Sequence, residues 1–90
     1  MVREDGVRAR VQAGTGDVTR FAIGVARAGS SVERNRARRR TREALLTVLP
    51  TLPLDAVLSV PREAATMPFD DLRTLLAACV QRAERVVQAQ

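Results

Sequence analysis

An α+β domain, a small mixed sheet with two helices in the order β-β-α-β-α, is the fold class this sequence predicts. Three observations predict it. Two stretches near the N-terminus alternate apolar and polar residues with period two, as strands with one buried face do. Two later stretches repeat apolar residues at helical spacing. A short apolar, partly β-branched run lies between those helices. The chain of 90 residues, 46% hydrophobic and 28% charged, supports one domain with one core.

Residues 1–6 are polar and are expected to fray. Val7, Ala9, Val11 and Ala13 then alternate with Arg8, Arg10 and Gln12. Gly14-Thr15-Gly16-Asp17 signals a turn. Phe21, Ile23 and Val25 alternate with Ala22, Gly24 and Ala26, so a second strand follows, and the two are expected to pair as an antiparallel hairpin. Ser30 and Glu33 fit a capping box, in which both side chains satisfy exposed backbone donors. The helix they open is expected over 30–49, ended by Pro50. Its apolar stripe is Ala37, Thr41, Ala44, Leu45 and Val48. Asp55–Val60 reads as a third strand, closed by Pro61. Pro68 opens a second helix over 68–88, with Asp70 and Asp71 suited to the positive end of its dipole. Phe69, Leu72, Leu76, Cys79, Val80, Ala83 and Val87 form the stripe that packs it on the sheet.

Composition excludes several kinds of chemistry. The chain has no His and one Cys. Internal disulfides, zinc sites of the usual Cys/His kind, and Ser-His-Asp or Cys-His nucleophiles are therefore ruled out. Asp70 and Asp71 are adjacent and diverge on a helix, so they read as terminal charges rather than a catalytic pair. Cys79 reads as a packing residue. Gly14-Thr15-Gly16 has neither the Lys nor the helix of a phosphate loop. The N-terminus lacks the apolar core of a secretory signal, and no run is long enough to span a membrane, which points to a cytoplasmic protein.

Charge placement says more. The net charge is +5, and all 15 basic residues are arginine. Six of them, Arg34, Arg36, Arg38, Arg39, Arg40 and Arg42, fall within nine positions on the first helix. Around its apolar stripe they fan over most of the remaining surface, with Asn35 among them. Such a cluster repels itself unless a polyanion is near. Guanidinium groups match phosphates with paired donors and stay charged at any relevant pH. No general acid or base accompanies them. The residues alone leave two readings open: a general RNA- or DNA-binding module, or a surface for an acidic protein.

The stretch RNRARRRTREAL, residues 34–45, resembles the signature of the bacterial ribonuclease P protein component. It has the Arg-Asn-Arg triplet, a basic pair and an Arg-Glu, on a helix following a strand (here 20–27). Asp55–Val60, Pro61-Arg62 and Phe69-Asp70-Asp71-Leu72 match the family's later elements, so the likeness covers 20 to about 87. It implies a ribosomal-protein-like two-layer sandwich, with a left-handed β-α-β crossover in place of the usual right-handed one. It implies the protein subunit of an endoribonuclease that removes the 5′ leader of precursor tRNA, with catalysis by the RNA subunit. Partners would be that RNA and precursor tRNA, with the protein a monomer in the complex. The protein would hold no cofactor itself; Mg²⁺ would be held mainly by RNA. The implied RNA-binding residues are Arg27, Arg34, Asn35, Arg36, Arg38, Arg39, Arg40 and Arg42. Family members usually open with an aromatic-bearing helix that helps to line a cleft for the single-stranded leader. Residues 1–19 show no counterpart of that helix, and the substrate face would fall to Arg8, Arg10, Arg20 and Phe21. The alternative is a diverged or truncated general RNA- or DNA-binding module on the same fold.

Overall fold

The computed structural model describes residues 2–4, 6–26 and 30–89. Strands β1 (Val2–Glu4), β2 (Val7–Ala13), β3 (Arg20–Val25) and β4 (Leu54–Val60) combine with helices α1 (Ser31–Leu46) and α2 (Phe69–Gln88). A short 3-10 turn, Arg62–Ala65, links β4 to α2. The four strands form one mixed sheet in the order β1-β2-β4-β3. Both helices cover one face. The other face is open.

Period two accounts for that asymmetry. Leu54, Ala56, Leu58 and Val60 of β4 are buried, as are Val7 and Ala9 of β2. They meet Leu72, Leu76, Cys79, Val80 and Ala83 of α2 and Ala37, Ala44 and Leu45 of α1 in one continuous core. Arg8, Arg10, Gln12, Ala22, Gly24, Val57 and Ser59 alternate with the buried set and are exposed. The buried residues of both helices all belong to the expected stripes, while Val48, which lies past the end of α1 at Leu46, and Phe69 and Val87 are partly buried.

Two expectations fail. The first is fraying over residues 1–6. Val2–Glu4 instead forms β1, antiparallel to β2 with Val2 opposite Ala9. Gly6, at φ +89°, makes the reversal, a conformation that glycine adopts without a Cβ penalty. Val2 is buried, and Arg82 Nη1 of α2 donates to the Arg3 carbonyl at 2.5 Å. A single apolar residue in a polar stretch carries no periodicity, so tertiary contact with α2 decides the matter.

The second is the hairpin. β2 and β3 do not pair with each other. β4 lies between them, antiparallel to β2 and parallel to β3. Residues 14–19 carry the chain over the end of β4 rather than back along β2. Gly14 N donates to the Pro53 carbonyl at 2.9 Å, and a Cβ at Gly14 would sit 2.9 Å from backbone atoms of Pro53 and Val18. The turn-rich sequence thus serves a close backbone crossing. β4, the most apolar strand, takes a central position, where its backbone pairs on both edges and its helix-facing side is fully covered.

Leu76 is fully buried at the centre of α2. Leu76→Ala is expected to cost about 2–5 kcal/mol in denaturant unfolding. Thr41 is also fully buried, and its hydroxyl has no hydrogen-bond partner among the described residues. Thr41→Val keeps the shape and removes the unpaired group, so it should raise stability by about 1 kcal/mol in the same measurement.

Candidate nucleic-acid interface

Helix α1 begins where the sequence places it. Ser30 has extended backbone (φ −83°, ψ 167°) and its Oγ accepts from Glu33 N at 3.2 Å. The helix seats itself on small side chains, Ala37, Thr41 and Ala44, with Leu45 at its end. Only this stripe is buried, which leaves the rest of the circumference to solvent.

The arginines divide into three sets. Arg36, Arg39 and Arg42 are exposed and recur every third residue, so they wind slowly over about 120° of the outer face and about 9 Å of rise. No hydrogen bond or ion pair engages them among the described residues. Arg34 and Arg38 are half-buried and lean on residues one turn earlier. Arg34 Nη2 donates to Ser31 Oγ at 3.4 Å, and Arg38 Nη1 donates to Asn35 Oδ1 at 3.2 Å. Asn35 is exposed, and its carbonyl oxygen orients Arg38. Arg40 turns inward, where Nη1 donates to the Ala64 carbonyl at 2.7 Å and Nη2 to the Met67 carbonyl at 2.5 Å. Arg27 lies outside the described residues.

Among the described residues, none of the α1 arginines is neutralised by an acid. The ion pairs among the described residues are Arg20–Asp55 at 3.1 Å and Arg62–Glu63 at 3.8 Å. The outer face of α1 therefore carries guanidinium charge with its donors turned to solvent.

The open sheet face is a second basic surface. Arg8, Arg10 and Arg20 project from it. A groove of about 440 Å³ runs past Arg10, Gln12, Arg20, Phe21, Asp55 and Val57. Arg20 is held by Asp55 through Nε at 3.2 Å and Nη2 at 3.1 Å, with Thr15 Oγ1 at 3.4 Å from the same Nη2. The hydrogen bond to Asp55, and then its charge, hold the Arg20 guanidinium further above its ordinary pKa. Phe21 lines the same groove, with its side chain directed to the other side of the sheet. It lies opposite Ala56 in the register and packs, partly buried, against the helix-side core. Period two puts the Phe21 and Arg20 side chains on opposite sides of β3. Phe69 likewise packs against the core, so neither phenylalanine offers the open face a stacking platform.

Among the described residues, no three His, Cys, Asp or Glu side chains group closely enough to hold a metal ion.

A family model described as Ribonuclease P matches residues 2–84. The chain belongs to the ribonuclease P protein family. The match includes β1 and β2, which precede the motif-bearing segment. Two solved structures share the fold. The Staphylococcus aureus RNase P protein at 2.0 Å superposes with TM-score 0.73 and 21% identity, over 92% of this chain and 79% of that one. A mutant of the S. aureus protein, described as defective in mRNA degradation activity, gives TM-score 0.75 and 21% identity, over 92% and 73%. No curated protein matches the chain.

The Ser30 cap governs the N-terminal turn from which Arg34 and Asn35 project. Ser30→Ala should lower stability by about 1 kcal/mol. Amide exchange should show the loss as reduced protection in the first turn of α1, with the sheet amides unchanged relative to it.

Proposed function

We propose that α1 is the surface through which this protein subunit of ribonuclease P grips the catalytic RNA. The observation that carries the reading is the row Arg36, Arg39 and Arg42, exposed and free of carboxylate partners among the described residues. A rigid helix places the cations in advance, so little conformational entropy is lost on docking. Arg34 and Asn35 extend the row toward the helix N-terminus, Arg38 flanks it, and Arg27 belongs to the same contact set in this proposal. Arg8, Arg10 and Arg20 form a separate basic face suited to the phosphates of a single strand, such as the leader of precursor tRNA. With neither phenylalanine side chain directed to it, that face holds a strand by charge rather than by stacking.

The ribonucleoprotein is an endoribonuclease acting on precursor tRNA. In this proposal its Mg²⁺ rests on RNA phosphates, and the protein lowers the Mg²⁺ concentration needed for cleavage. We place the protein in the cytoplasm as a monomer within the complex. Among the described residues, no helix is long and apolar enough to cross a membrane.

Reconstitution tests the reading. Added to the catalytic RNA and precursor tRNA at low Mg²⁺, the protein should stimulate 5′ cleavage. RNA binding with no stimulation would favour a general RNA-binding module instead. Across a salt series, Arg36→Ala and Arg39→Ala should each weaken RNA binding and flatten the log–log salt dependence by about one unit. Loss of affinity with an unchanged slope would assign the residue to folding.

A further inference from the structure

Arg40 stands outside the pattern that relates α1 to its family. It falls between the basic pair Arg38-Arg39 and the Arg42-Glu43 step. Its two donated hydrogen bonds, to the carbonyls of Ala64 and Met67, point to a separate task. Those carbonyls belong to the 3-10 turn and the bend that follows it. The turn closes through Ala64 N to the Pro61 carbonyl at 3.1 Å, and through Thr66 N and Met67 N to the Glu63 carbonyl at 3.0 and 2.8 Å. A single planar guanidinium fork thus ties two carbonyls of the segment to the side of α1.

Arg62 is the residue this clamp presents. Ala64 and Ala65 are buried beneath the turn, while the Arg62 side chain is 57% exposed. Its one acidic neighbour among the described residues, Glu63, stands 3.8 Å away and is itself exposed, a pairing worth little in water. Arg62 precedes Ala64 by two residues, at most about 7 Å of backbone. The Ala64 carbonyl touches Arg40, and Arg36 lies one helical turn from Arg40 on the same side of α1. Arg62 therefore belongs to a segment packed against the side of α1 that carries Arg36 and Arg40.

We propose that Arg40 is a positioning residue whose guanidinium pins 62–67 against α1, so that Arg62 joins Arg36 and Arg39 as one more cation of the RNA interface. The inference rests on the reading of α1 as that interface. Arg40 itself meets no phosphate.

The probe is the ribonuclease P RNA encoded by the same genome, titrated over a salt series. Arg62→Ala should flatten the log–log slope by about 0.7–0.9, so that its affinity deficit shrinks about sixfold for each tenfold rise in salt. Arg62→Lys should restore the slope. Arg40→Met keeps the apolar stem and removes the donors. It should flatten the slope by the same amount and expose the Thr66 and Met67 amides to exchange. The double variant should match either single one. A double variant that loses two steps would overturn the proposal, because Arg40 would then touch phosphate itself. So would an unchanged slope for Arg62→Ala, or for Arg40→Met with those amides exposed. Should Arg40→Met fail to fold by circular dichroism, Arg40→Lys, with a single ammonium in place of the fork, carries the same test. A wild-type protein that does not bind the RNA at all would overturn the reading of α1, whereas binding with the wrong double-variant pattern overturns this inference alone.

Discussion

A narrow seat for α1 is the constraint on which the rest depends. The helix rests on Ala37, Thr41, Ala44 and Leu45, its only fully buried residues. Small side chains bring it close to its neighbours while occupying little of its circumference. Everything outside that stripe has to be compatible with water, and there the chain has placed arginine. A wider apolar stripe would strengthen the packing and remove positions from the charged surface. The fold makes up the difference elsewhere, through α2, whose buried side includes Leu72, Leu76 and Val80. One helix supplies the core and the other carries the charge.

That division explains why the arginines are left unbalanced. Glu33 and Glu43 lie on α1, yet neither pairs with an α1 arginine among the described residues. Like charges along one helix face repel, and this repulsion is present whenever the protein is alone. A polyanion relieves it by replacing diffuse counterions with fixed phosphates, which makes association strongly dependent on salt. By contrast, Arg20 on the open sheet face is bound by Asp55 in a two-point contact. The two basic surfaces therefore differ in kind: α1 offers free cations, and the sheet offers cations partly held in place.

Arg40 shows that identical residues in one cluster can have different tasks. Five arginines of the 34–42 run lie on or beside the outer face, and one is turned inward to the protein's own backbone. Burial of a charged group is tolerable when its donors are met, and the two carbonyls meet them. Angular position decides the outcome, since Arg40 lies on the side of α1 where the 3-10 turn packs.

Much of this was legible in the sequence, because it depends on local periodicity and local chemistry. The cap at Ser30, the stripes of both helices, the strand at 55–60 and the motif at 34–45 all follow from spacing or residue type. Three matters were settled only in three dimensions. β4 separates β2 from β3, since the 14–19 segment is compatible with a hairpin or a crossing, and only competition for the central position selects one. Val2 becomes a strand residue because α2 covers it, a contact made across most of the chain's length. Phe21 and Arg40 take the sides they do because a partner already occupies one side, the helix layer for Phe21 and the 3-10 turn for Arg40. Sequence spacing states which residues share a face; what lies against that face is a property of the assembled core.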